Sequence, residues 1–306
     1  MSENKRPRKR WPSRLIVVGL LVSGALVMGW PVGTTLVNNH QTSTTTKDFV
    51  ADLDKLRKSE PAKLDSELAE ARAYNAALPA AALYDPWGNQ PAEGNQLTYL
   101  ETMDEPMARL RIPKVSVDVL VHHGTSDEVL FEGAGHLFGS SLPVGGVDTH
   151  AVIAAHNSYP MHTYFDRIHE LQNGDEFTID VLGETLTYRV DQTRIVEPWE
   201  LENVARENGQ DLVTLVTCIY PETGGQKRLL VRGVRVASSE ILDDGAAAFA
   251  AESAPVLSDL SIQSWMWPRV IGDALVALLL VLMTIGWIRQ DRRVDANRRK
   301  ETANEL

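Results

Sequence analysis

Cys218 is the only cysteine in the chain. A thiolate is a strong nucleophile, and a neighbouring cation lowers the pKa at which it forms. The sequence supplies a cation in a suitable place. Residues 211–218 (DLVTLVTC) and 228–236 (RLLVRGVRV) are strand-like runs separated by Ile219 to Lys227. Adjacent runs of this kind pair antiparallel. Cys218, ending the first, then lies opposite Arg228, beginning the second, at the mouth of one hairpin. An Arg beside an acyl-transfer nucleophile can also stabilise the oxyanion of the transition state. Arg232, four residues on with the same strand facing, competes for that role.

A cysteine acyl-transfer enzyme also needs a proton carrier, and His is the usual one. Of the eight histidines, His156 ends the apolar run AVIAA, which reads as a buried strand. A polar residue there sits at the rim of a sheet. A structural histidine satisfied by hydrogen bonds is the competing reading. His122 and His123 form a pair, but no second cluster has ligand spacing, so no metal is expected. No phosphate loop, dinucleotide fingerprint or G-x-S-x-G is present, and no cofactor is expected.

The elements that must position these residues are mostly strands. From Ala108 to Val236 short β-rich runs are separated by Gly, Pro, Asn and Asp, with LGE after Val181 marking a tight hairpin. Many short strands without alternating helices point to a barrel or a sandwich. One short helix is expected over residues 161–171. Upstream, apolar residues spaced by three and four predict an amphipathic helical stalk over 47–78, restarted at Ser59-Glu60-Pro61 by a cap and an early proline. Residues 38–46 read as a short polar linker and 79–100 as a loop without periodicity.

Two apolar runs, residues 15–32 and 270–288, approach the roughly 20 residues a bilayer core needs. Trp265, Trp267 and Trp287 flank the second as interfacial aromatics. The first is too long for a secretory leader and lacks a clean cleavage site, so it reads as an anchor. The tails carry +5 (residues 1–14) and +2 (289–306), while residues 15–288 carry −18. Basic flanks mark the cytoplasmic side, so both termini are expected inside and the acidic section outside. An acidic ectodomain argues against nucleic acid. In that compartment a lone thiol is a reactive group, an intermolecular partner, or a buried inert side chain.

Several ordered motifs resemble those of sortases. Thr214-Leu215-Val216-Thr217-Cys218 resembles their TLxTC signature, and Arg228-Leu229-Leu230-Val231-Arg232-Gly233 their RLLVRG strand. Gly133-Ala134-Gly135-His136-Leu137, followed by Ser141-Leu142-Pro143-Val144-Gly145-Gly146, resembles the GAGHL…SLPVGG stretch. Asp85-Pro86-Trp87 resembles the lid of class C, pilus-assembling sortases, and two membrane spans are similar to that class. Two places depart from the pattern: His156-Asn157-Ser158 lacks the Gly common two residues after the family's His, and the loop IYPETGGQK is about one residue longer.

The resemblance implies a mainly β, closed sortase-type barrel with short helices, an N-terminal helical stalk and lid, and two flanking transmembrane helices. It divides the chain into a basic tail (1–14), a span (15–32), linker and stalk (33–78), lid loop (79–104), catalytic barrel (105–237), linker (238–269), span (270–288) and basic tail (289–306). It implies that Cys218 attacks the Thr–Gly bond of an LPXTG-type sorting signal and forms a thioester. His156 acts as acid and base, and Arg228 holds substrate and oxyanion. Thr214 and Thr217 are groove candidates. A lysine amine of another pilin subunit resolves the acyl-enzyme. Asp85 pairs with Arg228, and Trp87 covers Cys218. The expected partners are pilins or surface proteins bearing LPXTG-type signals, met outside the cell membrane. Two other readings are a sortase that anchors single proteins to peptidoglycan, and a membrane-tethered binding module with an inert cysteine.

Overall fold

A computed structural model describes residues 11–79, 103–158, 162–219, 223–236 and 266–304. Asp85, Pro86 and Trp87 of the expected lid lie outside them. The chain divides into two compact units, residues 1–35 with 262–306, and residues 36–261.

The larger unit is a closed eight-stranded barrel. Its strands are β1 (Ala108–Ile112), β2 (Val117–His123), β3 (Ala134–His136), β4 (Thr149–Ala154), β5 (Glu176–Val181), β6 (Glu184–Val196), β7 (Asp211–Cys218) and β8 (Arg228–Arg235). They run in the order β1-β2-β3-β4-β7-β8-β6-β5, with β5 pairing back onto β1. The barrel-or-sandwich choice is thereby settled, because closure leaves no sheet edge. Alternation supplies the core: Leu110, Ile112, Ile153, Phe177, Ile179, Val213, Leu215 and Val231 point inward and are fully buried. Phe177 stacks on Tyr188 at 5.6 Å. A Cβ on Gly233 would come within 2.6 Å of the Phe177 ring, so only glycine fits there. The β5–β6 hairpin closes through Leu182 (φ 43°) and Gly183 (φ 82°), the doubly left-handed turn that matches strand twist.

The stalk is helical, with helix α1 (Trp11–Ser59) and helix α2 (Pro61–Ala77). Pro61 opens α2 at its first turn, while Glu60 makes no side-chain cap. Residues 38–46 continue α1 instead of forming a linker. Their threonines turn inward on the helix: Thr44, Thr45 and Thr46 donate to the carbonyls of His40, Gln41 and Thr42 at 3.0, 3.1 and 2.8 Å. Such back-bonding satisfies hydroxyls that would otherwise favour a loop. Asn75 of α2 then docks the stalk on the barrel by exchanging two hydrogen bonds with the backbone of Leu142, at 3.0 and 2.7 Å.

The helix expected over 161–171 is reduced, in its described part, to a 3₁₀ turn at Ile168–Glu170. Tyr164, Phe165, Ile168 and Leu171 are all buried, a spacing that imitates a helix but here serves a compact loop. Helix α3 (Asp127–Glu132), capped by the Ser126 hydroxyl, has no counterpart in the sequence reading. It is too short to show a period.

The smaller unit holds the first part of α1 and helix α4 (Trp267–Asn304); these two helices include the stretches Arg14–Ser59 and Trp267–Asn297, long and apolar enough to cross a membrane. Their leucines face outward, with Leu20 and Leu26 at 68% and Leu275 at 59% exposure. A core helix buries such residues, so this exposure fits a pair of membrane-anchoring helices. The two helices are antiparallel, since Arg14 pairs with Asp291 at 2.8 Å while Gly29 lies against Asp273.

Candidate active site

Three strand ends build the site. β4 and β7 run parallel, with Ala154 opposite Val216 as the last paired residues. The ladder goes one step further, Ala155 N–H donating to Val216 O at 3.1 Å. His156 and Cys218 each stand two residues beyond that last pair, so they are lateral neighbours on the same face as Ala154 and Val216. On the other side β7 pairs antiparallel with β8, and Cys218 is opposite Arg228. His156, Cys218 and Arg228 therefore lie in a row across three adjacent strands, as the hairpin argument predicts for the last two.

Hydrogen bonds lock this row. The Thr217 hydroxyl donates to Ala155 O at 2.7 Å, and the Asn157 amide donates to Cys218 O at 3.0 Å. Asn157 is held in turn by the Ser158 hydroxyl at 2.8 Å. Ser158 is left-handed (φ 57°), where the family pattern has glycine. Its backbone N–H donates to the Asp166 carboxylate at 2.7 Å, which offsets the cost of that conformation. Phe165 N–H donates to His156 O at 3.0 Å and anchors the same loop. The Asn157–Ser158–Asp166 chain was legible in sequence only as a departure from the pattern at Ser158. Asp166 carries no sequence signal at all.

The thiol is partly exposed and unpaired with any other cysteine. His156 is half-buried. Burial lowers its pKa, and the Asp127 carboxylate at the start of α3 partly opposes that. The imidazole is thus biased toward its neutral, proton-accepting form at neutral pH. Arg228 is buried, at 8% exposure, and its guanidinium donates to Gly225 O at 2.6 Å. Arg232 does not compete for that place. It is tied to Asp191 at 2.6 and 3.1 Å and to Glu207 at 2.6 Å, next to β6.

An apolar groove runs from Arg228 along the same outer face. Val152 and Ala154 of β4, Val216 of β7 and Leu230 of β8 form its floor, with Val196 and Val204 along one wall. A salt bridge from Lys227 to Glu197, 3.2 Å, straps its rim. Thr214 and Thr217 do not line the groove. Thr217 is spent on Ala155, and Thr214 is buried against His150 Nε2 at 2.7 Å. The GAGHL and SLPVGG residues are scaffold: His136 is held by Ser141 O at 2.7 Å, and Gly146 N–H donates to Asp211 at the foot of β7, 2.9 Å. His122 and His123 point apart, to Glu105 (3.1 Å) and to Met103 O (3.0 Å). Among the described residues no three His, Cys, Asp or Glu side chains are grouped to hold a metal.

A sortase-domain family model matches residues 110–236, the barrel just described. The crystal structure of sortase C-1 from Actinomyces oris is 42% identical and superposes with a TM-score of 0.54, covering 57% of this chain and 99% of that one. The pilus-related sortase C of Group B Streptococcus is 36% identical, with a TM-score of 0.56, covering 63% and 98%. Sortase D of Bacillus subtilis is 26% identical over 145 residues, 46% of this chain and 70% of its own length. With the thiol, histidine and arginine in a row above an apolar groove, and with this degree of identity over whole barrels, the chain belongs to the sortase family of cysteine transpeptidases and is a class C sortase.

Proposed function

We propose that this sortase cleaves an LPXTG-type sorting signal at its Thr–Gly bond and joins the new carboxyl end to a lysine amine of another pilin subunit. The reading is carried by the row His156–Cys218–Arg228 at the head of the apolar groove. An extended Leu-Pro segment suits that groove, because apolar side chains on a floor of Val152, Val216 and Leu230 leave water without leaving a polar group unpaired. The scissile carbonyl then reaches Cys218. Neutral His156 takes the thiol proton and hands it to the departing glycine amine as the C–N bond breaks, leaving a thioester. The incoming amine gives its proton to the same imidazole, which returns it to the sulfur as the C–S bond breaks. Arg228 faces the carbonyl oxygen on which charge develops.

Pilin as the acceptor is supported by the likeness to the pilus-related sortase C of Group B Streptococcus, and to a Streptococcus pneumoniae sortase C whose crystal structure bears on pilin substrate specificity. The two apolar helices fit a membrane-anchored enzyme. We place both termini in the cytoplasm from the basic flanks, and the barrel outside. Asp85-Pro86-Trp87 is proposed to cover the groove at rest, Asp85 against Arg228 and Trp87 over Cys218. The test is incubation of the full chain in micelles with a candidate pilin, wild type against Cys218→Ala. A covalent ladder from the wild type alone supports the reading, and an undiminished ladder from the variant sinks it. Transfer to a peptidoglycan amine in place of pilin lysine would assign the enzyme to anchoring.

A further inference from the structure

A second hollow lies behind α3. Leu130 of that short helix faces the apolar groove, whereas Phe131 and Glu132 line a separate pocket of about 430 Å³. Its opposite wall is about two turns of α1, carrying Asn38, Gln41, Thr42 and Thr45. His162 is buried, at 5% exposure, and contributes to the lining between Phe131 and Tyr164, with ring centroids 4.9 and 4.7 Å away. Gln41, Thr45 and Glu132 are exposed at its mouth.

This pocket is built unlike the groove. Among the described residues its lining is rich in amides and hydroxyls, has no lysine or arginine, and has one carboxylate at the mouth, Glu132. Burial holds His162 down to about 4, so that ring adds no positive charge at neutral pH, and His122, also in the lining, is turned to the Glu105 carboxylate at 3.1 Å. The first turn of α3 adds Asp127 and Glu128. His156 adjoins the loop that walls this pocket: its carbonyl accepts from Phe165 N–H at 3.0 Å, three residues after His162, while α3 separates the pocket from the groove, Leu130 on one side and Phe131 on the other. A proton acceptor so placed can serve a nucleophile arriving from the side opposite the acyl donor.

We infer that the pocket between α1 and α3 receives the acceptor, a primary amine carried on a peptide, and delivers it to the thioester past His156. The inference rests on the transpeptidase reading and adds where the second substrate binds. The amine arrives as an ammonium drawn by Glu132 and α3. Asn38, Gln41 and Thr42 hydrogen-bond the peptide that carries it. Near His156 the ammonium loses a proton to solvent, and the amine attacks the acyl carbon. A C–N bond forms, the C–S bond breaks, and the second amine proton passes through the imidazole to the Cys218 sulfur.

The test separates the half-reactions, using the full chain in micelles and an LPXTG peptide. Acyl-enzyme formation is read by mass on Cys218, and the acyl group's fate as the ratio of aminolysis to hydrolysis. Acceptors are a lysine-bearing pilin peptide and a peptidoglycan stem peptide. Glu132→Gln is expected to leave acylation unchanged and to lower the ratio about three- to five-fold, the scale of one exposed charge contact. Gln41→Trp, which blocks the mouth from an exposed helix face, is expected to lower it about ten-fold, as for a misplaced reactant. A fall confined to one acceptor supports the site and names its ligand. Unchanged ratios in both variants with both acceptors overturn it. Absence of any acyl-enzyme in the wild type overturns the transpeptidase reading itself, and this site with it.

Discussion

Asn157→Ala removes one of the contacts between the histidine and cysteine strand ends, the one that reaches Cys218 itself, and leaves the Thr217 bond to Ala155 O in place. The lost bond is a side-chain amide donating to Cys218 O at 3.0 Å, in a partly buried place. Such a bond contributes about 1 kcal/mol net, so a modest loss of stability is expected. The larger effect falls on chemistry. Nothing else among the described hydrogen bonds reaches from residues 157–158 to Cys218, and a displacement of about 1 Å between reacting groups costs up to about 100-fold in rate. Cleavage of an LPXTG peptide should therefore show kcat lowered about 10- to 100-fold. The groove floor is untouched, so KM should stay within about two-fold, since only uniform binding changes KM alone. Ser158→Gly is the companion. It removes the left-handed strain of about 1 kcal/mol and also the hydroxyl bond to Asn157, of similar size, so stability should change by less than about 1 kcal/mol. Steady-state kinetics and urea melts of both variants decide. Full kcat in Asn157→Ala, or a loss carried by KM, would refute the clamp.

Other consequences can be checked separately. Arg228→Ala should lower kcat about 100- to 1,000-fold, as for loss of an oxyanion donor, whereas Arg232→Met should leave kcat unchanged and shift only the urea midpoint. Ala154→Leu, narrowing the groove, should raise peptide KM about ten-fold with little change in the thioester fraction at saturation; an unchanged KM would place the peptide elsewhere. His136 is fully buried and its pKa is pushed down to about 4. The folded state therefore refuses a proton that the unfolded chain accepts near 6.5, so its contribution is full above that pH. It is lost as pH falls toward about 4, a change of roughly 3 kcal/mol. NMR titration of its imidazole checks this, and a midpoint near 6.5 would contradict it.

Much of the site could be read from the chain because strand periodicity carries it. Two β-rich runs with Cys218 ending one and Arg228 beginning the other determine a hairpin with those residues face to face, and the alternation of polar and apolar types fixes which face. The apolar runs near both ends, their aromatic borders and their basic flanks likewise announce the two membrane-length helices from local composition alone. Barrel closure did not follow from local pattern, because pairing of β4 with β7 and of β5 with β1 joins residues far apart in sequence. Only that closure sets His156 beside Cys218, and only the side-chain network identifies Arg232 as structural. The threonines of residues 38–46 read as a linker because their loop preference is local, while the helix is sustained by back-bonding and by contacts such as Asn39 with Thr163, 2.8 Å. Asn157, Ser158 and Asp166 acquire meaning only in space: a left-handed serine is recognisable from its backbone angle and its carboxylate partner, neither of which residue type reveals.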